Sequence, residues 1–260
     1  MIVDKITDLI GNTPMLKIAP EVHGIPNVNL YAKLEMMNPF GSVKDRIAWA
    51  MLKEELDDLI ANNKTIVENS SGNTSKAIQA IAGIYGIHFK LMSALAKIPE
   101  PLEVMQIQGA DIEIITQAGT DCFDPNDPND PQYVIEKYVQ QSNGTVHFPS
   151  QFTNEKNVEV HRETTGKEIL NDLDRIDWFF GGLGTTGSSR GIIESIRTRD
   201  PNAKCMAVCA SDNELLPGVR TTGQSWEVGL FQRDLYQDIM GVTPKDSVDA
   251  MLELNRKSGL

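Results

Sequence analysis

From residue 27 onward, short apolar runs of strand character alternate with longer runs of helical periodicity, and this alternation constrains the fold more than any other feature. The pattern predicts strands over 28–35, 65–69, 88–93, 111–116, 145–148, 177–181, 203–209 and 238–242. It predicts helices over 43–59, 73–85, 100–108, 131–141, 159–170, 188–198 and 245–257. Strands separated by helices read as βαβ units, which build parallel sheets with helices on both faces. The expected fold class is therefore α/β, as one sheet or two lobes. Ahead of the alternation, Gly11-Asn12-Thr13-Pro14 marks a turn between two apolar pieces. No internal repeat is visible.

Composition narrows the function classes. The chain has 260 residues, enough for a sizeable core, with 24 basic and 36 acidic side chains and a formal charge of −12. So acidic a chain offers no electrostatic footprint for nucleic acid or an anionic membrane. No apolar run is long enough to span a bilayer, and Met1-Ile2-Val3-Asp4-Lys5 lacks the features of a signal peptide. Cys122, Cys205 and Cys209 form no disulfide framework, which points to a reducing cytoplasm. Cys205 and Cys209 share one face of a strand and read as buried thiols rather than half a metal site, so no metal is expected. The stretch Asp124-Pro125-Asn126-Asp127-Pro128-Asn129-Asp130-Pro131 reads as a solvated loop, with a lid over a site as the sharper alternative. It lacks the Gly and terminal Glu of an EF-hand.

Three strand-to-helix turns carry unusual residues, and in parallel sheets ligands bind at the carboxyl ends of strands, where such turns lie. The first is Asn38-Pro39-Phe40-Gly41-Ser42-Val43-Lys44-Asp45-Arg46. Ser42 is a good N-cap, and Asp45 three residues on completes a variant capping box. Lys44 then falls in the first helical turn, where the positive end of the helix lowers an amine's pKa and favours its nucleophilic form. Taken alone, a solvated surface lysine explains it equally well. The second turn, Glu68-Asn69-Ser70-Ser71-Gly72-Asn73-Thr74, offers hydroxyls and free backbone N–H groups that suit a small carboxylate, against a plain N-cap. The third, Phe180-Gly181-Gly182-Leu183-Gly184-Thr185-Thr186-Gly187-Ser188-Ser189, suits a phosphate. Gly182-x-Gly184-x-x-Gly187 also fits the dinucleotide fingerprint, with Asp212 as its acidic residue, so a nicotinamide reading stays open on spacing alone. The combination of phosphate cradle, carboxylate cradle and helix-start lysine fits pyridoxal phosphate bound as a lysine Schiff base, with an amino-acid substrate.

The sequence resembles the cysteine synthase family of β-replacing pyridoxal-phosphate enzymes, which includes cystathionine β-synthase and the O-acetylserine and O-phosphoserine sulfhydrylases. The motifs that carry the likeness run in family order across nearly the whole chain. They are Gly11-Asn12-Thr13-Pro14-Met15, Lys33-Leu34-Glu35 through Asn38-Pro39-x-Gly41-Ser42-Val43-Lys44-Asp45-Arg46, and Ser71-Gly72-Asn73-Thr74. Then come Gln151-Phe152-x-Asn154, His161-x-Glu163-Thr164-Thr165-Gly166-x-Glu168-Ile169 and the glycine-rich turn at 184–188. The resemblance implies that Lys44 holds pyridoxal 5'-phosphate and shuttles the α-proton, and that Asn73 bonds the cofactor's ring oxygen. It implies that Gly184, Thr185, Thr186, Gly187 and Ser188 bind the phosphate. Ser70, Ser71, Gly72, Thr74 and Gln151 would grip the substrate carboxylate. It implies the two-lobed fold of type II pyridoxal-phosphate enzymes, like the tryptophan synthase β chain. Residues 1–37 and 148–260 would form the larger lobe and 38–147 a smaller mobile one, in a homodimer. The implied reaction is β-replacement on an activated serine through an aminoacrylate, with a sulfur nucleophile giving cysteine or a relative.

Some positions depart from the family pattern. Ser70 replaces a threonine, Ser75-Lys76 stand where a glycine is usual, and Thr186 stands where glycine is common. The chain reaches Ser258-Gly259-Leu260 where the family continues into a further strand and a Ser-Ser/Thr-Gly turn that meets the pyridine nitrogen. A form ending there is expected to expose apolar surface and a sheet edge and to bind cofactor weakly. A catalytically dead scaffold is the alternative of a different class. Arg220, in Leu215-Leu216-Pro217-Gly218-Val219-Arg220-Thr221, would pair with an anionic leaving group, which admits O-phosphoserine beside O-acetylserine. Trp226-Glu227-Val228-Gly229-Leu230-Phe231 reads as core or dimer contact. A nitrogen nucleophile giving a diaminopropionate-type product is the second enzyme reading.

Overall fold

The computed structural model describes residues 2–70, 72–93, 99–115, 130–214, 216–223 and 229–260. Ser71, Cys122, the Asp-Pro stretch up to Asn129, Leu215 and Trp226-Glu227-Val228 lie outside the described residues.

The chain opens with an antiparallel hairpin of β1 (Met15–Ile18) and β2 (Leu30–Lys33), joined through the short helix α1 (Pro20–His23). Neither β1 nor α1 is expected from the periodicity. The turn over 38–43 then leads into α2 (Lys44–Leu52), followed by α3 (Leu56–Ala61). The single helix expected over 43–59 is thus broken at 53–55, where Glu54 and Glu55 turn toward Lys156.

A four-stranded sheet follows, with β3 (Thr65–Glu68), β4 (Phe89–Ser93), β5 (Asp111–Ile114) and β6 (Val146–His147) in the order β5-β4-β3-β6. Every pairing in it is parallel. The crossovers carry α4 (Asn73–Ile84), α5 (Pro99–Ile107) and α6 (Pro131–Gln141). Ile66, Phe89 and Leu91 pack with Leu52, Ala77, Ile78 and Ile81 on one face, while Val67 and Met92 pack with Ile135 on the other. Burial on both faces explains why β3 and β4 are apolar at successive positions instead of alternating.

The second half begins with α7 (Lys156–Val160), one π turn over His161–Thr165, and α8 (Gly166–Asp172). This continuous helical run starts three residues before the expected 159, and no periodicity rule anticipates its π turn, a feature frequent at functional sites. β7 (Trp178–Gly182), β8 (Lys204–Ala210) and β9 (Asp238–Val242) form an all-parallel three-stranded sheet, with α9 (Gly187–Arg197) between β7 and β8 and α10 (Pro244–Ser258) at the end. Cys205 and Ala207 of β8 pack with Ile193 of α9. Cys205 and Cys209 are both buried and burial raises both thiols, as inert core cysteines should behave. On the opposite face of the sheet Trp178 and Phe180 are 46% and 53% exposed. Helix α9 lies against α7 and the π turn with no space between backbones: a Cβ on Gly191 would meet the Val158 carbonyl and stand 2.8 Å from the Arg162 nitrogen.

Candidate active site

Each expected turn sits at the carboxyl end of a strand or opens a helix. Lys44 is the first residue of α2. Ser42 Oγ accepts from the Lys44 N–H at 3.1 Å and donates to Asp45 Oδ1 at 3.3 Å, while Asp45 Oδ2 accepts from the Phe40 N–H at 2.6 Å. Asp45 therefore closes the turn from the helix side, but the N-cap position is Val43, without a side-chain cap bond, and not Ser42 as the sequence suggests. The Lys44 amine is lowered to about 8, and the cause is desolvation by the surrounding protein. The helix field invoked from sequence is not what carries the shift. His161, in the π turn, is buried and held well below its ordinary range by that burial and by the charges of Lys44 and Arg46. A neutral imidazole thus stands among the groups around the Lys44 amine.

Two residues beyond Lys44, Arg46 is 1% exposed and bridges three parts of the chain. It donates to both oxygens of Glu35 at 2.7 and 2.8 Å, and to both of Glu168 at 2.6 and 2.8 Å. Its remaining bonds reach Thr13 Oγ1 at 3.2 Å and Thr164 Oγ1 at 3.1 Å. Lys33 adds a second cation 2.8 Å from Glu168. Burial alone would raise the Glu168 carboxyl, but Arg46 and Lys33 outweigh it and hold it at about 2. The network fastens α2 to the hairpin and to α8, so it fixes where the helix carrying Lys44 begins.

The second turn leaves β3 through Glu68, whose carboxylate is fully buried. Its oxygens accept from the N–H groups of Asn69 at 3.0 Å and Gln151 at 3.3 Å. Burial pushes the carboxyl up to about 8 despite those donors. Ser70 Oγ accepts from the N–H groups of Gly72 at 3.1 Å and Ser75 at 3.2 Å, and so caps α4. Gln151 is buried against the same turn: its Nε2 donates to the Asn69 carbonyl at 2.6 Å, and its Oε1 accepts from Thr74 Oγ1 at 2.6 Å. Asn73, the first residue of α4, is exposed.

The third turn joins β7 to α9. Thr185, Thr186 and Gly187 are buried, and Gly184 and Ser188 are half-buried. Thr186 adopts φ +70°, the left-handed region that a β-branched residue rarely enters, and its buried hydroxyl has no partner among the described residues. Asn157, from α7, donates from Nδ2 to Thr185 Oγ1 at 3.0 Å and to the Gln151 carbonyl at 2.8 Å. A Cβ on Gly187 would fall 2.1 Å from Asn157 Oδ1. Glycine is thus required at 187 by a neighbouring side chain as well as by any ligand. Arg220 donates from Nε to the Gly184 carbonyl at 2.8 Å and lies 5.7 Å from the Phe152 ring centre, so it braces this turn.

The structure therefore gathers Ser70, Gly72, Thr74 and Gln151 at one turn, links them through Asn157 to Thr185, and brings His161, on the helical run of Asn157, within the field of the Lys44 charge. Sequence reasoning missed Asn157, His161 as a neighbour of Lys44, and Glu68 as a buried carboxyl. His161 lay within a quoted motif, but nothing in spacing says which way it points. The third turn fits a phosphate: the first-turn N–H groups of α9 lack intrahelical acceptors, and the Thr186 hydroxyl and the Ser188 side chain have no partner among the described residues.

Comparison with known proteins agrees with this arrangement. The family model described as pyridoxal-phosphate dependent enzyme matches residues 6–260. A cysteine synthase from Staphylococcus aureus is 30% identical over 266 residues, covering 98% of this chain and 81% of that protein. Among solved structures, a hydrogen sulfide-producing enzyme from Fusobacterium nucleatum superposes with a TM-score of 0.84 at 28% identity, covering 100% of this chain and 87% of that one. A mutant of O-ureido-L-serine synthase with O-ureido-L-serine bound gives a TM-score of 0.84 at 25% identity, covering 100% of this chain and 81% of that one. The chain belongs to the pyridoxal-phosphate dependent enzymes, as a cysteine synthase-like member with the α/β fold of type II.

Proposed function

We propose that this enzyme carries out β-replacement on an activated L-serine, with O-acetylserine as the default donor and a sulfur nucleophile, to give L-cysteine or a related amino acid. The observation that carries the reading is a helix-start lysine with its amine lowered to about 8, in a chain that also carries a carboxylate-type turn and a phosphate-type turn. Bound there, pyridoxal 5'-phosphate supplies an electron sink for the substrate's α-carbon. Lys44 Nζ would hold the cofactor, take the α-proton and return it; an amine near 8 exchanges protons readily close to neutral pH. Gly184, Thr185, Thr186, Gly187 and Ser188 would hold the phosphate, and Asn73 the ring oxygen. Ser70, Ser71, Gly72 and Thr74 would take the substrate carboxylate, with Gln151 behind them holding Thr74. Movement of the smaller lobe, 38–147, over the bound amino acid would exclude water, and a homodimer is the assembly we expect.

Arg220 supports O-phosphoserine less directly than its sequence position suggested, because its Nε is committed to the Gly184 carbonyl. A nucleophile other than sulfide is favoured by one observation, the likeness to O-ureido-L-serine synthase. The deciding experiment supplies O-acetylserine or O-phosphoserine with sulfide, or with an amine, and identifies the amino-acid product. Cysteine from O-acetylserine and sulfide is the expected result; a diaminopropionate-type product with no cysteine would replace the sulfur reading.

A further inference from the structure

The carboxylate turn and the phosphate turn are joined by one buried side chain that the reading above leaves without a role. Asn157 is fully buried, and its Nδ2 donates both to the Gln151 carbonyl at 2.8 Å and to Thr185 Oγ1 at 3.0 Å. Gln151 in turn holds the Asn69 carbonyl and the Thr74 hydroxyl, each at 2.6 Å. A hydrogen-bonded path of Thr74, Gln151, Asn157 and Thr185, every member buried, therefore runs from the first turn of α4 to the entrance of α9.

The path has a direction. A hydroxyl that accepts from an amide keeps its own proton to give, and accepting makes it a better donor. Thr185 accepts from Asn157 and has no acceptor of its own among the described residues, so its proton is left for an anion at the turn. The amide orientation is set by the Gln151 carbonyl, which can only accept. Reversed, Asn157 would face the Gln151 carbonyl with its own oxygen, leaving a buried acceptor without its donor. As placed, its Oδ1 occupies the space that a side chain at Gly187 would need.

We infer that Asn157 is a positioning residue: it presents the Thr185 hydroxyl as a donor to the cofactor phosphate and, through Gln151, couples that grip to the grip on the substrate carboxylate. The inference rests on the pyridoxal-phosphate reading of the third turn.

The test compares wild type with Asn157→Asp, Asn157→Ala, Thr185→Val, Thr185→Ser and the double variant Asn157→Ala/Thr185→Val. Cofactor-stripped protein is titrated with pyridoxal 5'-phosphate by absorbance, KM and kcat for O-acetylserine are measured on loaded protein, and thermal shifts are recorded with inorganic phosphate. Asn157→Asp keeps the shape but cannot donate, so its cofactor Kd is expected to rise more than tenfold and its KM to rise in parallel, with kcat changing less. Thr185→Val should weaken the cofactor comparably, and Thr185→Ser should restore it. Adding Asn157→Ala to Thr185→Val should change the cofactor Kd less than twofold while still raising KM, because the Gln151 arm, intact in Thr185→Val, is lost with Asn157.

Multiplicative losses of cofactor affinity in the double variant, or an Asn157→Asp protein that binds cofactor like wild type, would overturn the inference. So would an unchanged KM in a variant with weakened cofactor binding. If Asn157→Asp does not fold, the Thr185 pair and the double variant decide in the same way. Wild type stabilised by phosphate but not by pyridoxal phosphate would defeat the cofactor reading alone. Stabilisation by phosphate that survives Thr185→Val would defeat the donor role.

Discussion

Arg46 and Thr186 are both buried polar residues beside the candidate site, and they are treated in opposite ways. Around Arg46 the donors and acceptors close on one another: two carboxylates are held bidentately, two hydroxyls take the remaining bonds, and Lys33 adds charge. Around Thr186 the site is left open, with no partner for its buried hydroxyl among the described residues. A buried hydroxyl without a partner costs about 1–3 kcal/mol, a cost that an anion accepting its proton would remove. The first region is architecture complete in itself. The second is incomplete without an anion.

The contrast is broken most severely at Lys44, the residue proposed to hold the cofactor. Lys44→Ala is expected to reduce β-replacement by about 10^3-fold or more while leaving the fold intact, measured as steady-state product formation with circular dichroism as control. A variant keeping a tenth of the activity would remove Lys44 from the chemistry. Next in size is the closed region itself. Arg46→Leu leaves two buried carboxylates without their shared cation and is expected to cost about 3–5 kcal/mol in urea unfolding. A loss under about 1 kcal/mol would mean the network is surface-like and not architectural.

The open region predicts the opposite sign. Thr186→Gly removes a β-branched residue from a left-handed backbone and is expected to stabilise the cofactor-free protein by about 1–2 kcal/mol in thermal unfolding. A destabilised Thr186→Gly would show that the hydroxyl has a protein partner in solution.

A further effect concerns pH. Glu68 has its folded-state pKa raised from the ordinary 4.5 to about 8 by burial. Between those values the folded chain holds a proton that the unfolded chain has lost, so the stability it contributes is present below about pH 4.5 and is lost as pH rises through about 8. Glu68→Gln does not titrate, so the stability difference between wild type and variant should drift against wild type over that window in denaturant titrations. A difference that is flat with pH would show that the N–H groups of Asn69 and Gln151 keep Glu68 ionised throughout.

Much of this architecture was legible in the sequence, and the reasons differ by element. The eight expected strands all appear, and β3 and β4 were readable because buried parallel strands are written as continuous apolar runs bounded by turn residues. β1 was missed because an edge hairpin of four residues leaves too short a pattern to separate from a loop. The break at 53–55 and the π turn at 161–165 were illegible because both depend on what the helix packs against. The three turns were readable from residue type and position. What joined them was not: Asn157 carries no spacing signal, and its role emerges only when α7 brings it against Gln151 and Thr185. The cause of the Lys44 shift was likewise misassigned, because sequence shows a helix start but not the burial around it.

The most direct measurement is borohydride reduction of the protein loaded with pyridoxal 5'-phosphate, followed by peptide mass analysis. A pyridoxyl group confined to the peptide carrying Lys44, and absent from Lys44→Ala, is the predicted result. A label on Lys33 or Lys76, or no label on any lysine of a protein that has taken up the cofactor, would contradict the assignment of this site.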